Sequence, residues 1–585
     1  MSTWWKSTRG PLIRSLYSTS ARIAPHSRAL PLGAVLVGAA GIAFGYHTVS
    51  STPVHSEAST DGSGSTKANK EDLGITKTSW SQQDQVNASW RQPGLYLWGS
   101  NRYGIVDPDG PPEIVKGPKR LAFFDGQYLR DVTLAEKHAA AVLINGDVYQ
   151  WGMLSQIPGK SQPQPSACLE GRDIVQITVS NECLFALSKK GHLYMVYMGG
   201  PNKQIKSDII IKKDGGGRGW WPFSSMPSLP SNAFYVDTSK ALHNQKVTSI
   251  AAGSHHLLLT TSDGRVFAAS LDDEGNSNGQ LGIGHMAPVN PGQLHEVAGD
   301  LIGKQSIQVV AGERHSVVSY ANLAFYPIAR TADGRAFTFG SNKFGQLCQG
   351  DYSLSKLNIP EPTEVTLLYP SNRGSKPQAL NVVQVSAGGN NTYFVVDKID
   401  SNKETGVSRQ VTQAFAAGMG QYGQLGNGMW SQMKGSPTKI AAVSDLLEYE
   451  ESLNEVVPIR INAIHAGQTH CVAVLDNVTN VDALPKDNVA HFGHDVFIWG
   501  HNQDGQLGNG KRNNVATPMH ALPLDADQPV TIKPEEDHGV TINRLQLAPK
   551  TRMKTSNGKK VDVDQKVMAG VGVTAVYSHV DPQSL

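Results

Sequence analysis

Ile250-Ala-Ala-Gly-Ser-His-His-Leu-Leu-Leu259 and Gly423-Gln-Leu-Gly-Asn-Gly428 are the two stretches that set the fold. The first is an apolar run, a small-Gly pair, two variable residues, His, and a second apolar run. It recurs as Val309-Val-Ala-Gly-Glu-Arg-His-Ser-Val-Val318 and Ile464-His-Ala-Gly-Gln-Thr-His-Cys-Val-Ala-Val474. Weaker copies lie at Thr133–Leu143, Ile177–Leu187, Val385–Val395 and Val567–Val576. Cys183, Asn391 and Val573 take the place of His in three of them.

The second stretch follows a short strand that ends in an aromatic-Gly pair. Such strands are Tyr96-Leu-Trp-Gly99, Val148-Tyr-Gln-Trp-Gly152, Phe337-Thr-Phe-Gly340 and Val496-Phe-Ile-Trp-Gly500. The Gly-Gln-Leu turn returns at Gly279, Gly345 and Gly505, and degenerate copies sit near Val196, Ala268 and Ala417. Between the two patterns stand Asn145-Gly146, Lys190-Gly191, Asp263-Gly264 and Asp333-Gly334. Asn-Gly and Asp-Gly between apolar runs mark tight hairpins, whose turn positions need positive φ. Each unit is therefore a small antiparallel sheet, and many such sheets in series mean a propeller or a solenoid.

The order of the patterns separates those two. The second pattern stands alone at the start, at Tyr96–Gly104, and the first stands alone at the end, at Val567–Tyr577. An open solenoid needs polar caps at its ends. Two complementary half-units instead predict an all-β, seven-bladed β-propeller over residues 93–580, closed by pairing of N- and C-terminal strands. Polar or Gly/Pro-rich insertions inflate it at about 199–232, 397–412, 443–458, 476–493 and 523–540.

This ring absorbs most of the 59 glycines in the 585 residues, a share above the typical ~7 %. Formal net charge is only +2, which argues against a general nucleic-acid binder. The cysteines Cys168, Cys183, Cys348 and Cys471 form no CxxC pair and fit no zinc spacing. They read as small buried residues.

The N-terminus carries different information. Residues 1–28 hold Lys6, Arg9, Arg14, Arg22 and Arg28, many Ser and Thr, and no acid. That composition predicts a mitochondrial transit peptide. Residues 30–48 are apolar, uncharged and rich in small side chains, long enough for one transmembrane helix. Gly41 and Gly45 form a GxxxG that lets such a helix pack closely on a partner. Residues 49–92 are polar and predict a flexible linker. The expected place is the mitochondrial inner membrane, single-pass, with the side of the propeller open.

Other motifs have plainer readings. Gly505-Gln-Leu-Gly-Asn-Gly-Lys511 matches the start of a phosphate-binding loop, but Arg512 follows instead of Ser or Thr. It reads as a repeat turn. His138, His256, His315 and His470 share one repeat position. A ring distributes them one per blade, so a buried His bonded to backbone is expected rather than a metal site. Trp98, Trp151, Phe339 and Trp499 are expected to pack between blades. No repeat demands the insertion Gly215–Pro230. Its Trp220, Trp221 and Phe223, with Arg218 nearby, suit a membrane interface or a protein partner. No nucleophile elbow, paired metal motif or Cys/His arrangement of catalytic spacing occurs, so no enzyme activity, cofactor or metal is expected.

The set Ala-Gly-x-x-His, Asp-Gly and Gly-Gln-Leu-Gly-x-Gly resembles the regulator of chromosome condensation family of seven-bladed β-propellers over residues 93–580. Transit peptide, anchor and inflated ring together resemble its fungal mitochondrial member. That resemblance implies an inner-membrane scaffold assisting assembly of respiratory complex III, with that complex's subunits or assembly factors as partners. The family's founder implies a different reading, a guanine-nucleotide exchange factor for a mitochondrial GTPase. Matrix relatives imply a third, a ribosome- or RNA-associated factor, to which the low net charge lends little.

Overall fold

The computed structural model describes residues 82–152, 164–181, 183–198, 211–212, 228–322, 333–350, 353–368, 380–401, 408–450, 454–477, 493–524, 544–554 and 558–585. All of them lie in one compact unit, Ile75–Leu585. The expected transit peptide (1–28), membrane span (30–48, with Gly41 and Gly45) and most of the linker lie outside the described residues. Among the described residues no helix is long and apolar enough to cross a membrane.

The chain is mostly β and repeats one four-stranded antiparallel sheet. In the unit Val247–Ala252, His256–Thr261, Val266–Ser270 and Leu294–Glu296, each strand pairs with the next in sequence. The Ala-Gly-x-x-His segment makes the first hairpin and Asp263-Gly264 makes the second. The same order holds for Leu129–Leu134 through Ser166–Leu169 and for Gln305–Ala311 through Asn358–Glu364. It holds again for Leu380–Gly388 through Ser431–Lys439 and for Arg460–Ala466 through Val515–His520. The sheet that begins at Ile174–Val179 adds a short fifth strand, Ile211–Lys212, beyond Ala233–Val236.

The two ends of the chain share a sheet. Val573–Val580 pairs with Lys560–Ala569 on one side and with Leu95–Ser100 on the other. Leu95 to Gly99 face Tyr577 to Val573 in antiparallel register, and Ile114–Arg120 forms the outer edge. The half-units at the termini thus find each other, as the order of the patterns predicts.

The core lies between consecutive sheets. One cluster joins Tyr393, Val395 and Leu425 of one sheet to Ile464, Ala473 and Trp499 of the next. Another joins Val472, Ile498 and Leu507 to Trp98, Val567 and Val576 across the junction with the chain ends. These packed faces explain the continuous apolar runs of the second strands, buried on both sides.

The Gly-Gln-Leu turns lock neighbouring sheets together. The Gln folds back on its own turn: Gln424 Oε1 accepts the Tyr422 N–H at 2.7 Å, and Gln506 Oε1 the Asp504 N–H at 3.0 Å. The Leu enters the core. The aromatic residue of the next sheet then lies over the second Gly of the turn. Trp499 Nε1 donates to the Gln424 carbonyl at 2.7 Å, and Trp98 Nε1 to the Gln506 carbonyl at 2.9 Å. A Cβ on Gly426 would stand 2.7 Å from Trp499 Nε1, and one on Gly508 2.7 Å from Trp98 Nε1. This is why the turn needs its glycine and why these tryptophans are structural, as the sequence suggests.

Two stretches are more ordered than their composition implies. Gln82–Arg91, within the stretch read as flexible linker, is a helix. Val86 is buried, and Gln85 bonds to the Arg544 carbonyl and the Gln546 N–H at 2.9 and 3.1 Å. Polar composition concealed it, because docking on the 544–547 segment stabilises it rather than helix propensity. In the insertion at 443–458, Leu447–Glu450 and Glu455–Pro458 pair as a separate two-stranded hairpin.

Candidate functional site: the axial cavity and its rim

The Ala-Gly hairpins converge on one cavity of about 540 Å³. Its wall takes residues 133–137, 178–181, 252–254, 311–313, 387–389, 466–468 and 569–571, one segment from each copy of the first pattern. The rim is stitched from sheet to sheet. Ser254 N donates to the Glu313 carbonyl at 3.0 Å, Glu313 N to the Gly389 carbonyl at 2.8 Å, and Gln468 N to the Gly570 carbonyl at 3.1 Å. Glycine permits this approach: a Cβ on Gly388 would stand 2.1 Å from the Gly467 carbonyl oxygen.

The repeat histidines form a belt behind the rim. His256 Nε2 meets Ser316 Oγ at 2.9 Å, His315 Nε2 meets Thr392 Oγ1 at 2.9 Å, and His470 Nε2 meets Thr574 Oγ1 at 2.8 Å. The partner is therefore a hydroxyl of the next sheet, not the backbone expected from sequence. That hydroxyl follows the next copy's own His-position residue. Ser316 and Thr574 donate onward to the Gln280 and Gln506 carbonyls, at 2.8 and 2.7 Å. Each hydroxyl so engaged accepts from Nε2–H, which fixes the tautomer. His138 differs. The residue after Cys183 is Leu184, which has no hydroxyl, and neither ring nitrogen of the buried His138 has a hydrogen-bond partner. Burial holds all four rings neutral: His138 and His315 are pushed down to about 4, His256 and His470 to about 3.

A second set of clamps escaped sequence reading. Seven residues before His138, Cys183, His315 and Asn391, a polar side chain reaches the first strand of the next sheet. Gln176 accepts the Ile250 N–H at 3.1 Å and donates to its carbonyl at 3.0 Å. Gln384 does the same to Ile464, at 3.0 and 3.4 Å. Asp131 accepts the Ile177 N–H at 2.8 Å. Asp131 is pushed up to about 6 by burial, against the Ile177 hydrogen bond and the nearby Lys566, which favour its charged form. These clamps satisfy the free edge of the innermost strands they reach. The signal was present as Asp or Gln at a fixed offset, but Ala463 and Lys566 break it at the His470 and Val573 positions.

Among the described residues no group of His, Cys, Asp and Glu is arranged to hold a metal ion. Gly505–Lys511 is a repeat turn seated on the chain-end sheet, where Gly510 N donates to the Lys116 carbonyl at 3.0 Å. The cysteines are free thiols, three of them buried. Arg218, Trp220, Trp221 and Phe223 lie outside the described residues.

Stitched four-stranded sheets around an axial cavity define a repeat β-propeller. The model of the regulator of chromosome condensation (RCC1) repeat matches residues 333–395 and 494–533, so the chain carries repeats of that family, as its motifs imply. The chain is 23 % identical over 498 residues to Protein FMP25, mitochondrial, of Saccharomyces cerevisiae, covering 80 % of this chain and 72 % of that one. It is 22 % identical over 351 residues to the ultraviolet-B receptor UVR8 of Arabidopsis thaliana, covering 58 % of this chain and 64 % of that one. The crystal structure of human WBSCR16 superposes with a TM-score of 0.52 at 17 % identity, covering 83 % of this chain and 99 % of that one. The last similarity is one of fold.

Proposed function

We propose that the described sheets are seven blades of one ring, closed by its own two ends, and that the ring is a non-catalytic interaction scaffold. Its place is the mitochondrial inner membrane, and its task is to assist assembly of respiratory complex III through protein contacts. The observation that carries this reading is similarity to a mitochondrial protein across most of the chain. The acid-free, basic N-terminus points to the same compartment. Residues 30–48 would supply the single anchor, with Gly41 and Gly45 at a helix contact. Trp220, Trp221, Phe223 and Arg218 would meet a partner or the bilayer. The rigid belt of inter-sheet bonds supports a scaffold, since fixed loops bind at low entropic cost.

Deleting the gene and resolving respiratory complexes on a native gel tests this reading. Loss of complex III with its subunits still translated is the expected result, and normal complex III refutes it. The repeat-family match also favours a second reading, guanine-nucleotide exchange on a mitochondrial GTPase. Accelerated nucleotide release from a candidate GTPase by the purified chain would support it instead.

A further inference from the structure

In each sheet the first and third strands run parallel to each other, because both are antiparallel to the second. The Ala-Gly hairpins and the tips after the third strands therefore lie at one end of the propeller. The fourth-to-first corners lie at the other. Three of the tips are also bonded to the outer strand of the following sheet. Gly350 N donates to the Gly435 carbonyl at 3.1 Å, Gly428 N to the Ala516 carbonyl at 2.9 Å, and Gly510 N to the Lys116 carbonyl at 3.0 Å.

Three consecutive tips expose apolar or basic side chains. Leu354 is 76 % exposed, Met429 55 % and Trp430 57 %. Lys434, Lys511 and Arg512 are exposed beside them. The sequence holds no acid between Arg409 and Ser444, nor between Gly505 and Leu524. Exposed Trp and Met with Lys and Arg, in two stretches free of acid, is the composition of an interface with anionic headgroups. We propose that this sector of the Ala-Gly end docks on an anionic lipid bilayer, with Leu354, Met429 and Trp430 entering the headgroup layer. A flat, deformable surface engages them together, whereas a protein would need a matching relief.

The neighbouring charges agree with this choice. At the same end, two acids of the adjoining sector are engaged: Asp272 with His255 at 2.6 Å and Glu274 with Arg314 at 2.9 Å. The opposite end also exposes apolar side chains, Ile302 and Ile307 among them, but beside the exposed Asp300. Carboxylates are repelled by an anionic surface. The proposal concerns which face meets lipid and does not depend on the complex III reading.

The test places an environment-sensitive fluorophore on the full-length chain in dilute detergent. It uses a Cys183→Ser background, since the other cysteines are buried. One variant carries the label at Met429→Cys and another at Ile307→Cys, so both share whatever the N-terminal segment does. Phosphatidylglycerol vesicles should blue-shift the label at position 429 and leave the label at 307 unchanged. Phosphatidylcholine vesicles should shift neither. Adding Lys511→Ala and Arg512→Ala should raise the half-saturating lipid concentration ~25-fold, about fivefold per basic residue at an anionic surface. A shift at 307, no shift at 429, or equal shifts with neutral lipid would overturn the proposal.

Discussion

Gly312→Ala tests the logic of the Ala-Gly-x-x-His motif. Gly312 has no left-handed φ, so alanine meets no backbone penalty there. Its Cβ, however, would stand 2.0 Å from Cε1 and 2.4 Å from Nδ1 of His315. That ring is fully buried and bonded to Thr392 at 2.9 Å, so it cannot give way without losing the bond. Overpacking costs about 1–3 kcal/mol. A buried polar group left without its partner costs about 1–3 kcal/mol more. The single variant should lose about 2–6 kcal/mol by these two terms. His315→Ala should itself cost about 2–4 kcal/mol, as a large-to-small change in a core. All three of the nearest atoms to the new Cβ belong to the His315 ring, so removing the ring removes the clash. The double variant should therefore be about as stable as His315→Ala alone, a coupling of roughly 2 kcal/mol or more. Urea denaturation of the four proteins measures it. Gly253→Ala is the control. Its Cβ meets His256 Cε1 at 2.3 Å but also the Gly312 carbonyl oxygen at 2.4 Å. His256→Ala should leave that backbone clash and rescue little. Additivity of the Gly312 and His315 changes within ~0.5 kcal/mol would refute the reasoning.

Acid should destabilise the fold. The unfolded histidine titrates near ~6.5, whereas burial holds the folded His138 near about 4. Between these two values the unfolded chain binds more protons, so stability is full above pH ~6.5 and falls as pH drops toward 4. Asp131, raised to about 6, acts in the opposite sense, gaining stability below its folded value. His138→Leu should keep stability at pH 7.5, because His138 has no hydrogen bond to lose, and should shrink the fall to pH 5.5 by ~1.4 kcal/mol. An unchanged fall would count against His138 as its source. Leu97→Cys with Ala575→Cys, register partners across the chain ends, should oxidise to a cross-link seen as faster migration on a non-reducing gel. Absence of the cross-link would contradict pairing of the termini. Gln176→Leu should lower the stability to urea by ~1–3 kcal/mol by leaving the Ile250 N–H and carbonyl without their clamp. A neutral effect would show that water replaces it.

Much of the fold is legible because its signals are local. Asp263-Gly264 marks a hairpin through turn chemistry alone, and the strands on either side follow from the apolar runs around it. The pairing of Leu95–Ser100 with Val573–Val580 is a long-range contact, yet it too is legible, since two half-units require it. The helix Gln82–Arg91 is not, because a polar segment acquires its order from a site it docks on. The belt was only half legible. Histidine at a fixed position announced a buried role, but its partners are 60, 77 and 104 residues away in sequence.

The amino-acid sequence by itself determined the unit, its strand boundaries, the places where only glycine fits and the need for the two ends to meet. Those follow from backbone sterics and hydrophobic patterning, which act over a few residues and repeat faithfully. Only the tertiary structure decided what each repeated residue touches: that the histidines bond to the next sheet's hydroxyls, that Gln176 and Gln384 clamp the next sheet's first strand, and that Leu354, Met429 and Trp430 project from one end. These contacts cross between sheets, and the insertions vary the spacing from one repeat to the next. No fixed sequence offset separates the two partners of such a contact.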